Sequence, residues 1–96
     1  PLHHEANNKF GEANALSGIG GVYSDLGEKR KALEYYNKAL PLYREVKKKY
    51  KEAIGMEGIT INKIGLVNAD LGEKNKALEF YNQALSLSRA IGDRNG

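Results

Sequence analysis

The sequence predicts an all-α fold of four helices paired into two hairpins, on three observations. The first is an internal repeat. Asp25-Leu-Gly-Glu-Lys-Arg-Lys-Ala-Leu-Glu-Tyr-Tyr-Asn-Lys-Ala-Leu40 returns as Asp70-Leu-Gly-Glu-Lys-Asn-Lys-Ala-Leu-Glu-Phe-Tyr-Asn-Gln-Ala-Leu85, with thirteen of sixteen positions identical at an offset of 45. The match extends to Ile19-Gly20 with Ile64-Gly65, Val22 with Val67, Leu42 with Leu87 and Arg44 with Arg89. The second observation is that apolar residues recur at spacings of three and four, one face of an α-helix. The third is that glycines stand where those stripes break off, while nothing alternates with the period of a strand.

The elements follow in order. A first helix, 8–26, carries Leu16, Ile19, Tyr23 and Leu26 on one face and stops at Gly27. A second, 29–49, carries Ala32, Tyr36, Ala39 and Tyr43. A third, 53–71, carries Ile61, Ile64 and Leu71 and stops at Gly72; a fourth, 74–91, carries Ala77, Tyr81 and Ala84 and stops at Gly92. Breaks this short return a helix antiparallel to its predecessor. Gly20 and Gly65 lie inside helices, where glycine costs about 1 kcal/mol against alanine. That cost is met where another helix must approach closely, with Ala32, Ala39, Ala77 and Ala84 as the matching small residues and Tyr23, Tyr36 and Tyr81 as the bulk between. Pro41 falls within the second helix and should kink it by removing one hydrogen bond.

Between the copies the pattern is ambiguous. Residues 47–54 contain no Gly, Pro, Asn or Ser, and the stripe Ala32, Tyr36, Ala39, Tyr43, Val46, Tyr50, Ala53 keeps its phase straight through. Two arrangements satisfy this. In one, a long second helix turns near residues 50–55 and the hairpins stack. In the other, helices two and three fuse into one rod, and a second chain completes the packing as a swapped dimer. Gly55 and Gly58 weigh against the rod by about 1 kcal/mol each.

The series Leu16, Ile19-Gly20, Tyr23, Gly27, Ala32, Tyr36, Ala39 and its counterpart Ile61, Ile64-Gly65, Gly72, Ala77, Tyr81, Ala84 resembles the tetratricopeptide repeat (TPR) over residues 8–96. Asn68 stands where the pattern has its tyrosine, and Arg44 and Arg89 where a proline often closes the unit. Gly92-Asp93-Arg94 and Gly11-Glu12-Ala13 look like the longer Gly-Asp-Arg subtype, similar to kinesin light chains and many bacterial scaffold proteins. The spacing of 45 also exceeds the basic unit of about 34 residues. The resemblance implies a right-handed solenoid segment. It divides into an N-terminal tail (1–7), hairpin one (8–49), an extended connection (50–55), hairpin two (56–92) and a C-terminal tail (93–96). Two repeats are fewer than the roughly three normally needed for stability. The chain is therefore expected to be a piece of a longer array or a unit that self-associates through its bare ends.

The resemblance also implies a function. First helices line a concave face that binds a peptide or protein segment, which places Asn14, Ser17 and Gly21 of copy one and Asn62, Lys63 and Leu66 of copy two against a ligand. Amides and hydroxyls suit a peptide backbone, and Lys63 suits an acidic group. The Lys/Asn clamp that some members use for a free C-terminus is not reproduced. The alternative is a structural module that assembles by repeat stacking or swapping, with a homodimer or adjoining repeats as its partner.

Other classes find little support. With no cysteine there is no disulfide framework and no thiol nucleophile, and the reducing cytosol is the default compartment. No apolar run approaches a membrane span. His3 and His4 precede the first helix without acidic residues at ligand spacing, so no metal, cofactor or enzymatic role is expected. Lys47, Lys48, Lys49 and Lys51 around Tyr50 form a basic patch, and the net charge is +3. Glu45 and Glu52 flank that patch, and Tyr50 fits the core stripe, so it reads as a solvated helix face rather than a nucleic-acid site.

Overall fold

The computed structural model describes the backbone of residues 2–95 and the side chains of residues 7–92. Four helices, α1 (Leu2–Asp25), α2 (Lys29–Val46), α3 (Glu52–Asp70) and α4 (Lys74–Asn95), account for nearly all of it, with no strand among the described residues. Helix α1 packs on α2 and α3 on α4. Helices α2 and α3 join the two hairpins, and α1 touches α3. The result is a slab of 42 × 30 × 15 Å.

Both hairpin turns are built the same way. Gly27 and Gly72 take φ of 84° and 86°, the left-handed conformation that a side chain would strain. Around the first, Gly27 N–H bonds to Ser24 C=O and Glu28 N–H to Tyr23 C=O; around the second, Gly72 bonds to Ala69 and Glu73 to Asn68. These paired bonds satisfy the last carbonyls of α1 and α3 and turn the chain back sharply.

Inside each hairpin a tyrosine ring lies against a glycine. A methyl group on Gly20 would sit 2.8 Å from the Tyr36 ring, and one on Gly65 would sit 2.9 Å from the Tyr81 ring. The small residue thus receives a ring of the partner helix, with the Ala32 carbonyl oxygen also close to Gly20. Two apolar clusters fill the slab. One joins Tyr36 and Leu40 of α2 to Ile61, Ile64 and Val67 of α3. The other gathers Ala13, Ala39, Tyr43, Val46 and Ala53 under Phe10, Tyr50 and Met56. Asn68 is buried in place of a tyrosine, and its Nδ2 donates to the Ile64 carbonyl of its own helix at 2.9 Å. Its counterpart Tyr23 instead stacks on Tyr35, with ring centroids 5.5 Å apart.

The connection corrects the expected boundaries. Helix α2 ends at Val46 rather than at 49, residues 47–51 form a turn, and α3 starts at Glu52. No rod forms, because α2 and α3 lie side by side. The turn needs no glycine: Lys47 and Lys51 keep right-handed helical angles, and Lys49 and Tyr50 N–H both bond to the Val46 carbonyl. Tyr50 stacks on Phe10 of α1 at 5.4 Å, holding the turn down. On its far side Glu57, 4% exposed, accepts Arg44 Nε at 2.9 Å and faces Lys47 Nζ at 3.5 Å. The unbroken stripe phase reflects burial of Val46 and Ala53 on either side of the turn, not a continuous helix.

Other expected stops also move. Gly55 and Gly58, which weighed against a rod, lie within α3, beyond the turn at residues 47–51. Helix α4 runs through Gly92 to Asn95, and α1 begins at Leu2, within the span expected as a tail. A glycine costs a helix only about 1 kcal/mol. It ends one only where the chain must turn, as at Gly27 and Gly72. Pro41 is exposed within an uninterrupted α2.

Because the Tyr36 ring fills the space at Gly20, Gly20→Ala should lower the urea unfolding free energy by about 1–3 kcal/mol, the usual cost of overpacking. Gly18 is exposed on the same helix with open space around it. Gly18→Ala should raise stability by about 1 kcal/mol through helix propensity alone.

Candidate protein-binding face

The predicted ligand face divides between the copies. In copy one it is largely engaged by the fold itself. Asn14 is exposed, but its Oδ1 accepts a hydrogen bond from the Tyr43 hydroxyl at 2.6 Å. Ser17 is only 5% exposed, and Gly21 lies half-buried near the Tyr36 hydroxyl. Ser17 on the open face is therefore a correction, and the repeat offset explains it. Its counterpart 45 residues on is Asn62, which no described residue of another hairpin covers and which is exposed.

In copy two Asn62, Lys63 and Leu66 are all exposed, and Ile59 joins them at 47% exposure. Asn62 also lines a groove of about 290 Å³ between α3 and α4, walled by Ile54, Ile59, Leu87 and Ile91 with Ser88 opposite. A second hollow of about 370 Å³ shares Ile54, Leu87 and Ile91 and is edged by Lys47, Lys48 and Lys51. Together they form one apolar trough with a basic rim.

The trough exists because two aromatic residues are missing from copy two. In copy one Phe10 and Tyr43 meet edge to face, with centroids 6.1 Å apart. At an offset of 45 their places are held by Gly55 and Ser88. That pair of differences was readable in the sequence, but it lies outside the stretch of near-identity that defines the repeat. Glu57 was also missed, since only its contact with Arg44 and Lys47 marks it out.

His3 and His4 lie outside the residues whose side chains are described. Among the described residues no cluster of acidic or histidine side chains can hold a metal ion, and no helix is long and apolar enough to cross a membrane.

Two antiparallel helix pairs, each closed by a left-handed glycine and joined through α2 and α3, define a helical-repeat solenoid. The tetratricopeptide repeat model matches residues 13–46 and 60–91, and the chain belongs to that family. TPR repeats generally mediate protein–protein interaction. No curated protein matches the chain.

The Tyr43 phenol has its pKa raised above the ordinary 10.0 by burial, with the Ser17 side-chain hydrogen bond opposing. Burial raises Tyr36 too, helped by the charge of Asp25. A raised phenol contributes stability that is fully present below its unfolded value and lost as pH rises through the folded one. Unfolding free energy should therefore hold steady from neutral pH up to the ordinary value of 10.0 and fall above it. Tyr43→Phe should flatten that alkaline fall while costing about 0.5–1.5 kcal/mol at neutral pH for the lost hydrogen bond.

Proposed function

We propose that the chain is a protein-interaction module whose second repeat takes a partner segment bearing a bulky apolar side chain beside acidic groups. The observation that supports this reading is the trough left where Gly55 and Ser88 replace an aromatic pair. An apolar or aromatic side chain fits the space that Phe10 and Tyr43 fill in copy one. The Asn62 amide is suited to the segment's backbone, Leu66 and Ile59 extend the apolar contact, and Lys63, Lys48 and Lys51 favour carboxylates. Asn14 and Gly21 continue the same first-helix face, so a longer segment runs on across copy one. The cysteine-free composition fits a cytoplasmic partner. The 45-residue unit supports placing the chain with the longer Gly-Asp-Arg subtype.

Selection from a displayed library of random peptides tests the reading. Enriched peptides should pair an aromatic or large aliphatic residue with nearby Asp or Glu. Ser88→Tyr, which refills the trough, should weaken their binding by about tenfold or more. Asn62→Ala should weaken it less. Selection that yields no acidic-apolar motif, or peptides indifferent to Ser88→Tyr, would count against the trough.

A further inference from the structure

We propose that the two open sides of the slab are a matched pair through which a second copy of this chain docks head to tail, repeating between molecules the α2–α3 interface found within one. That interface has an apolar centre, where Ile64 and Val67 of α3, each 1% exposed, meet Leu40 of α2 at 6%. It is bordered by Arg44–Glu57 at 2.9 Å and Lys29–Asp70 at 3.2 Å, with Lys47 a second cation on Glu57 at 3.5 Å.

Shifting the α3 side back by 45 residues gives a face of α1 with Ile19, Val22, Glu12 and Asp25. Shifting the α2 side forward by 45 gives a face of α4 with Leu85, Arg89 and Lys74. The charged residues of the Arg44–Glu57 and Lys29–Asp70 pairs all have counterparts of identical type. The apolar counterparts are exposed: Ile19 at 41%, Val22 at 59% and Leu85 at 47%. Among the described residues, none of Glu12, Asp25, Lys74 and Arg89 has an ion-pair partner. The acidic pair is on one side and the basic pair on the other, each with the sequence separation of its internal equivalent. Docking a second copy in the internal geometry thus covers both apolar faces and sets Arg89 against Glu12 and Lys74 against Asp25 together.

Not every counterpart matches: Ile61 corresponds to Leu16, and Ala53 and Met56 correspond to Asn8 and Gly11. Tyr43 corresponds to Ser88 and Lys47 to Gly92, so the contact between molecules lacks one ring and one cation of the internal interface. Association is therefore weaker than the internal packing and reversible. The contact joins two different faces, so each docked copy presents a fresh face and growth does not stop at a dimer. The counterpart of Asn62 is the buried Ser17, so a stacked copy and a peptide at Asn62 exclude one another. The stacking itself does not depend on the peptide reading.

Sedimentation velocity of the 96-residue chain from about 10 µM to about 1 mM should show a mass that rises without a plateau at the dimer. Added salt should reduce it through screening of the ion pairs. Glu12→Arg and Arg89→Glu each alter an exposed residue with no ion partner among the described residues, and both should keep wild-type circular dichroism. Each alone should weaken self-association by about tenfold or more. An equimolar mixture of the two should restore it, because the reversed charges then face each other and the remaining contact is the native one. A chain that stays monomeric throughout overturns the proposal, leaving adjoining repeats as the occupants of these faces. A plateau at the dimer, single variants without effect, or a mixture that fails to recover also overturns it.

Discussion

Each hairpin depends on a tyrosine ring seated on a glycine. Where Tyr36 meets Gly20 and Tyr81 meets Gly65, the absence of a side chain on one helix lets the ring of the other lie against its surface. This close approach sets how the two helices of a unit lie against each other, and the left-handed turns at Gly27 and Gly72 are compatible with it. Everything beyond the hairpin inherits that geometry. The outer edges of Tyr36 and Leu40 become the surface on which α3 rests, and the first-helix faces become the surface left for a partner.

The joint between hairpins uses a different device. A buried carboxylate is costly unless paired, and Glu57 meets that requirement with Arg44 and Lys47 at the end of α2. The pairing requires α3 to fold back along α2. Within one chain, a rod would carry Glu57 away from both cations and take Ile61, Ile64 and Val67 off α2. Phe10 and Tyr50 hold the opposite side of the same turn. Polar and apolar terms therefore favour the same bend, in a stretch whose local composition favours helix throughout.

The repeat offset links this joint to the rest of the surface. Positions 45 apart have the same place in their hairpins and differ only in what lies beside them. Ser17 is covered while Asn62 is open, and Val67 is buried while Val22 is exposed. Where the residue itself changes, as from Tyr43 to Ser88, the packing opens into a trough. The same comparison thus separates faces that await another repeat from faces that have changed their chemistry.

Helix number, pairing and the two glycine turns were legible in the sequence, because a 3.6-residue period, an internal repeat and a left-handed glycine are local signals. Of the residues expected on the ligand face, Asn62, Lys63 and Leu66 of copy two are exposed, whereas Ser17, the counterpart of Asn62, is buried. The stop of α2 at Val46, the passage of α4 through Gly92 and the burial of Ser17 were not legible. Each depends on a contact with a distant element, or on the lack of one. A lysine-rich stretch with good helix propensity turns only because Tyr50, Arg44 and Glu57 find partners in other helices. By itself the sequence determined the repeating unit. Tertiary structure decided where the units bend against each other, since that balance is set by buried area and ion pairing that no local window contains.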